Sequence, residues 1–409
     1  MKNNITSIDV ARLAQVSQSA VSRTFTPGAS VAEATRAKVL EAALRLNYRP
    51  NAHARSLITG KSRIIGLVLS YLENLFYPAA LQRLSERLQK DGYHVLLFIN
   101  QTSNADDLVT EILQYHVDGI ILAATTLSSD LARNCADANI PVVLFNRVMG
   151  NSGSSNLQSV SSVRSDNLTG GKEIANFLVK SGHQRIAYIA GNEESSTNLE
   201  RERGFREGLS ENGTHIWGRA TGNYEFAQAR LATLELFKPG QEHPDAIFVA
   251  SDHMAFSVMD TLRFELGLRI PEDVSVVGFD NVPQAEWGAY ELTTFNQPLD
   301  QMVEATASLL QERLSDKEKS AGKNIVISGE LIVRKSVKII PEKPVEQLHR
   351  RTELELGETA VHLAGRRQQP VEDGMVIRVE LLGLQPREDH ADRRVVGHVA
   401  AHLAEAAGV

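Results

Sequence analysis

The sequence predicts a multidomain chain: an all-α helix-turn-helix head, then an α/β core made of two doubly wound parallel-sheet lobes. Three observations carry that expectation. Two short helical patterns flank Val16-Ser17, and a third follows them. From Ile64 to about Val337, short apolar runs alternate with amphipathic helical patterns, as parallel strands covered on both faces do. Charge is polarised: residues 1–62 hold nine Lys/Arg against three Asp/Glu, a net of +6, while the 409-residue chain stands at −7. The other 347 residues therefore carry −13.

In the stretch from Ile8 to Phe25, Ser7 is placed to cap the first helix and Asp9 falls in its first turn, where it suits the helix dipole. Val10, Leu13 and Ala14 make the inward stripe. Ser17 caps the second helix, which buries Ala20 and Val21 and turns Gln18, Ser19 and Arg23 outward. A third helix opens at the capping box Ser30-x-x-Glu33, continues through Val39, Leu40, Ala43, Leu44 and Leu46, and stops at Tyr48-Arg49-Pro50. Polar outward residues alone fit any soluble three-helix unit. A basic head with hydroxyl, amide and guanidinium groups at the start of its second helix also fits major-groove reading, since Arg forks onto a guanine edge.

Length and a 42% hydrophobic content allow two or three domains with real cores. No run of 18 apolar residues is present, the N-terminus lacks a leader pattern, and the lone Cys135 has no internal disulfide partner. These point to a cytoplasmic protein with no membrane partner, and Cys135 reads as a small buried hydrophobe on a helix face. Gly60-Lys61-Ser62 resembles the end of a phosphate loop, but Arg55 stands where its first glycine belongs. Ser251-Asp252-His253 are consecutive at a strand end and point apart, so they make no catalytic triad. The expectation is a protein that is not an enzyme and needs no metal or cofactor.

Strands are expected at 64–69, 94–99, 119–123, 142–145, 185–190, 246–250 and 274–279, with helices such as Pro78 to Lys90, Leu168 to Lys180, Leu199 to Glu211 and Met254 to Leu266. The Gly/Ser/Asn-rich stretch from Gly150 to Ser159 marks the break between two lobes. Ligands of open α/β sheets bind beyond the carboxyl ends of strands. Those positions hold Phe76, Tyr77, Asn146, Arg147, Thr197, Arg201, Asp252, Asp280 and Asn281. Carboxylate and guanidinium pairing with hydroxyls, beside an aromatic ring, suits a monosaccharide or sugar acid. Asp280 also reads as a turn tie, and Tyr77 as core packing.

Several motifs closely resemble the LacI/GalR family of bacterial transcription regulators. They are Asp9-Val10-Ala11 with Ala14, the run Val16 to Arg23, the joint Leu46 to Asn51, and Ala54-Arg55-Ser56-Leu57. The resemblance implies a domain plan: a DNA-binding head at 1–50, a hinge helix at 51–62 and a periplasmic-binding-protein-like core at 63–337. Three crossings divide that core into lobe one (63–163 and 296–323) and lobe two (164–295 and 324–337). It implies DNA contacts from Ser17, Gln18, Ser19, Ser22, Arg23, Asn51, Ala54 and Leu57, the leucine wedging into the minor groove where two hinges meet. A segment this short holds no helix alone in water. Matching effector motifs supply Arg201, Asp252 and Tyr224.

The resemblance therefore implies a homodimer, open to tetramer formation, on a palindromic double-stranded operator, under control of a small-molecule effector. Repression is the commoner role. Asn146 departs from the acid many relatives carry there, which frees Arg147 for an anionic ligand or for bridging the lobes. Two alternatives stay open: a sugar-binding receptor with no DNA role, and a purine-responsive regulator, because Tyr224 stacks on either ring type.

Beyond Val337 the resemblance ends. The 72 remaining residues hold five of the twelve histidines, and His398 and His402 stand four apart without a metalloprotease glutamate between them. The segment reads as an extension of unknown role with weak heptad character.

Overall fold

A computed structural model describes residues 5–26, 28–49, 60–69, 72–99, 105–123, 128–148, 160–315 and 321–340, all within one contact unit, Met1–Glu342. The expected hinge contacts Asn51, Ala54 and Leu57, the break at 150–159, and the extension beyond Ile340 lie outside the described residues.

The head consists of α1 (Ser7–Ala14), α2 (Gln18–Thr24) and α3 (Glu33–Leu46). The cap of α1 is Thr6 rather than Ser7. Thr6 N donates to Asp9 Oδ2 at 2.9 Å, and the Thr6 hydroxyl accepts from the Asp9 amide, completing a capping box that holds the Asp9 carboxyl below its ordinary range. Ser17 caps α2 as expected, its Oγ accepting from Ala20 N at 3.2 Å. Ala32, not Ser30, occupies the cap position of α3, and it makes no side-chain cap bond. Val10, Ala11, Ala14, Val21, Val39, Ala42 and Ala43 form a small separate core. Leu13, Leu40 and Leu44, expected inside, are exposed, because the packed stripe of α3 runs through Val39, Ala42 and Ala43 instead.

The core holds two six-stranded sheets. Sheet A has the order β11-β5-β4-β3-β1-β2, from β1 (Ile64–Leu69), β2 (His94–Ile99), β3 (Gly119–Ala123), β4 (Val142–Phe145), β5 (Ser161–Ser165) and β11 (Asn324–Ile327), all parallel. Sheet B has the order β12-β10-β9-β8-β6-β7, from β6 (Ile186–Ala190), β7 (Gly218–Thr221), β8 (Ala246–Val249), β9 (Ser275–Asp280), β10 (Thr293–Asn296) and β12 (Glu330–Ile332). Only β12 runs antiparallel there. The central strands are buried along their length, which is why they read as unbroken apolar runs.

Lobe one carries α4 (Phe76–Lys90), α5 (Ala105–Gln114), α6 (Ser128–Asp137) and the returning α11 (Leu299–Ser315). Lobe two carries α7 (Asn167–Lys180), α8 (Ser196–Glu211), α9 (Phe226–Leu236) and α10 (Asp252–Asp260). The pattern expected to run on to Leu266 leaves α-helical geometry after Asp260 and continues as a π-helical turn, Thr261–Glu265. In lobe two, Tyr188, Phe205 and Phe248 pack ring on ring at 4.9 to 5.8 Å between centroids, and each such burial is worth about 1.5–3 kcal/mol. Cys135 is fully buried in lobe one, and burial pushes its thiol up to about 12.

The chain crosses between lobes after β5, after β10 and after β11. The sequence-based boundaries need correction at all three points: Asn296, placed in lobe one, ends β10 in sheet B, paired with Asp280. β5 keeps residues 164 and 165 in lobe one, and β11 pairs in parallel with β5, from Asn324↔Ser162 to Ile327↔Ser165, so residues 324–327 also belong there. β11 is a four-residue edge strand whose residues alternate between exposed and half-buried, and its Ile325–Ile327 run is too short to declare a strand by itself.

Candidate functional site

Two surfaces carry the expected chemistry. On the head, Ser17, Gln18, Ser19, Ser22 and Arg23 are all exposed along the start and outer face of α2. Their donors are held near the helix: Gln18 Nε2 donates to Ser7 Oγ at 3.0 Å and Arg23 Nε to Ser19 O at 3.4 Å. Arg36 Nη1 donates to Thr24 O at 3.1 Å and ties α3 to the end of α2. The readout groups therefore stand on a braced helix, not on a loop.

The second is the contact region between the lobes, at the carboxyl ends of strands from both sheets. Phe76 and Tyr77 open α4 and are buried, their rings 5.4 Å apart. The Phe76 ring stacks on Phe145 at 6.3 Å, directly before Asn146 and Arg147. Asn146 sits at φ 56, Tyr224 at φ 61 and Asp280 at φ 130, so three sheet ends hold non-glycine residues in left-handed backbone. Such strain gathers where surrounding structure fixes a side chain for binding.

Arg147 joins the lobes. Its Nη1 donates to Ser195 Oγ and, at 3.1 Å, to Thr197 Oγ1; Val148 N donates to Ser196 Oγ at 3.3 Å. Thr197 Oγ1 and the Tyr224 hydroxyl are 3.3 Å apart, which extends the polar chain into lobe two. A Cβ on Gly191 would lie 2.2 Å from Tyr224 Cζ, so the ring lies directly over that backbone. Burial raises the Tyr77 phenol above its ordinary range; the Arg147 charge opposes this and the Tyr224 and Asp280 charges add to it. Groups from both lobes thus share one field.

Arg201 is engaged by the protein. Nε donates to Asn167 Oδ1 at 2.9 Å, Nη1 to Ala250 O, Nη2 lies 3.5 Å from Asp280 Oδ1, and the guanidinium stands 3.7 Å from the Phe279 ring centre. Asp280 Oδ1 also accepts from Gln297 Nε2 at 2.6 Å, while its Oδ2 is buried without a partner. Asn146 Oδ1 is likewise buried and unpartnered. Burial pushes the Asp280 carboxyl up to about 7, opposed by Arg201 and reinforced by Asp252.

Asp252 stands apart from the other expected contacts. Its Oδ1 accepts from the Thr294 hydroxyl at 2.6 Å and its Oδ2 from Val282 N at 2.9 Å. Both oxygens are taken, so the carboxylate ties the β9–β10 turn to α10. Asn281 is drawn off in the same way, donating to Asn296 Oδ1 at 3.1 Å and accepting from Arg334. Sequence reasoning missed Ser195, Asn167 and Gln297. The last two follow strands β5 and β10, and the rule of inspecting the residue after each strand finds them once those strands are known.

A helix-turn-helix head on a two-lobed binding core defines a DNA-binding transcription regulator with an effector domain, and not an enzyme. Residues 7–51 match the family described as bacterial regulatory proteins, lacI family, and residues 175–337 match the periplasmic binding protein-like domain. The chain is 33% identical to the HTH-type transcriptional repressor PurR of Vibrio vulnificus (strain CMCP6) over 338 residues, 81% of this chain and 98% of the relative. It is 30% identical to the probable HTH-type transcriptional repressor ExuR of Bacillus subtilis (strain 168), covering 82% and 98%.

Among solved structures, the lac repressor dimer bound to operator and the anti-inducer ONPF superposes with a TM-score of 0.71 at 26% identity, covering 82% of this chain and 99% of that one. The CelR–cellobiose complex superposes with a TM-score of 0.61 at 30% identity, covering 81% and 99%. The chain belongs to the LacI family of bacterial transcription regulators. A receptor with no DNA role is thereby set aside. No helix among the described residues is long and apolar enough to cross a membrane.

Proposed function

We propose that this chain is a homodimeric, operator-binding repressor whose interlobe cleft takes a monosaccharide or sugar acid, with Phe76, Tyr77, Asn146, Arg147, Thr197, Tyr224 and Asp280 as contacts. The observation that carries this reading is two buried, unpartnered acceptors at strand ends of the two sheets, Asn146 Oδ1, directly before Arg147, and Asp280 Oδ2, directly after Phe279. Buried acceptors call for donors, and a ring rich in hydroxyls offers several at once. Arg147 adds a charge that a sugar carboxylate would meet. Arg201 and Asp252 act behind these groups by fixing their positions. The cellobiose complex of CelR supports a saccharide class.

Dimer formation rests on lobe two. Phe226 and Trp287 are exposed there; the Phe226 and His253 rings lie 5.9 Å apart, the Phe256 and Tyr290 rings 4.4 Å apart, and Tyr290 N donates to Trp287 O. Exposed aromatic side chains backed by buried rings suit a stable protein interface. This region is proposed here as the face that joins two copies.

A thermal-shift panel of neutral sugars, hexuronates and purine bases tests the effector class. At a hundredfold excess over its dissociation constant a ligand adds about 2.7 kcal/mol, a shift of several degrees. Shifts confined to sugars or hexuronates are expected. Shifts given by purines alone contradict the saccharide reading and favour the purine-responsive one.

A further inference from the structure

The chain enters lobe one through a tight corner at the amino end of sheet A, the end opposite the candidate effector site. Asp118, directly before β3, takes three hydrogen bonds from the two residues directly before β1. Its Oδ1 accepts from Ser62 N at 2.8 Å and from the Ser62 hydroxyl at 2.9 Å, and its Oδ2 accepts from Arg63 N at 3.0 Å. Arg63 is held from the other side as well. Its carbonyl accepts from His94 N at 2.8 Å, where β2 starts, and its guanidinium lies 5.1 Å from the centre of the Tyr93 ring. Gly60 has φ 66 and Arg63 φ 60. Left-handed backbone at an arginine persists only where neighbours fix it, and here the neighbours are the leading ends of β2 and β3.

A carboxylate that accepts from two successive backbone amides and a hydroxyl makes charge-assisted bonds and a rigid turn. That turn closes the expected hinge, 51–62, at its last residue. We infer that Asp118 is a positioning residue for operator recognition: it fixes the direction in which the hinge leaves lobe one before DNA is met. The inference rests on the hinge reading and adds to it the residue that anchors the hinge. Backbone fixed ahead of binding has no conformational entropy left to lose in the specific complex. Random duplex is held by the basic head through phosphates and asks for no set hinge direction. Asp118 therefore acts on preference between sequences, not on general affinity for DNA.

Gel shifts with the full chain test this, using a duplex that the wild type selects from random sequence and a scrambled version of it, alongside hydrogen exchange by mass spectrometry on the free protein. Asp118→Ala is expected to speed exchange over residues 61–64 while leaving residues 186–190 unchanged. It loses about tenfold or more in affinity for the selected duplex and nothing for the scrambled one. Asp118→Asn, which keeps one acceptor oxygen, loses less. An undiminished preference in Asp118→Ala overturns the inference, as does unchanged exchange over residues 61–64. Should Asp118→Ala fail to fold, Ser62→Ala carries the test: a smaller loss of the same kind is expected, and an unchanged preference overturns the inference. Leu57→Ala separates the anchor from the hinge. If it loses the preference while the Asp118 or Ser62 variant keeps it, the hinge reading survives without the anchor; if it too keeps the preference, both fall.

Discussion

Arg147 of lobe one donates to Thr197 of lobe two at 3.1 Å, so a guanidinium buried at the end of one sheet meets hydroxyls that follow the other. This contact ties the two lobes together at the proposed site. Removing it should cost effector affinity first. Charged hydrogen bonds are worth about 1.5–3 kcal/mol each, so Arg147→Ala is expected to weaken saccharide binding by about 10- to 100-fold. Isothermal titration measures this directly, and an unchanged dissociation constant rejects the clasp.

The raised Asp280 carboxyl gives a pH signature. Its folded pKa of about 7 lies above the ordinary carboxylate value of 3.8, so the native state binds its proton more tightly than the unfolded chain does. That contribution is full below about pH 4 and is lost as pH rises through 7. Asp252, pushed up to about 6 mainly by burial, acts in the same direction. The melting temperature of the ligand-free protein should therefore fall between pH 5 and 8 more steeply in the wild type than in Asp280→Asn. Parallel curves would remove the assignment.

Saccharide affinity should run the other way. Ring hydroxyls donate to the ionised carboxylate, so binding strengthens as pH rises through about 7 and flattens above it. Titration at a series of pH values checks the sign. Affinity that falls over the same window contradicts the proposed role of Asp280 Oδ2.

Trp287 is 57% exposed on lobe two, in the face proposed to join two copies. Trp287→Ser should shift the protein toward monomer, with at least a roughly tenfold rise in dimer dissociation constant, as loss of an aromatic anchor usually brings. Sedimentation velocity over a concentration series reads this. An unchanged distribution places the dimer face elsewhere.

Much of this architecture was legible because the interior strands are apolar from end to end. IIGLVL, GIILA and VVLF have no other plausible fate, and Ser17 at the turn of the head declares the second helix. Three strands did not declare themselves. Ser161–Ser165 and Thr293–Asn296 are short and rich in Ser and Thr, Asn324–Ile327 is a four-residue edge, and each is held by partners distant in sequence. With them went the exact crossing points, and with those Asn167 and Gln297. Leu13, Leu40 and Leu44 were misread for a different reason. A three-helix head this small buries one narrow stripe, so part of its helical periodicity faces water.

Leu57 lies outside the described residues, yet the hinge motif makes a clear prediction. Leu57→Ala should weaken binding to the preferred operator far more than binding to random duplex, because only the specific complex gains from a minor-groove wedge. Equal losses on both would eliminate it.

If α2 reads sequence, a gel shift over a salt series with an operator selected from random duplexes shows it. Affinity should fall steeply with salt while the preference over scrambled duplex stays on the order of a thousandfold or more. Arg23→Ala should cost about 1–3 kcal/mol on that operator alone. Equal affinity for selected and scrambled duplex at every salt concentration, with and without saccharide, would contradict the account.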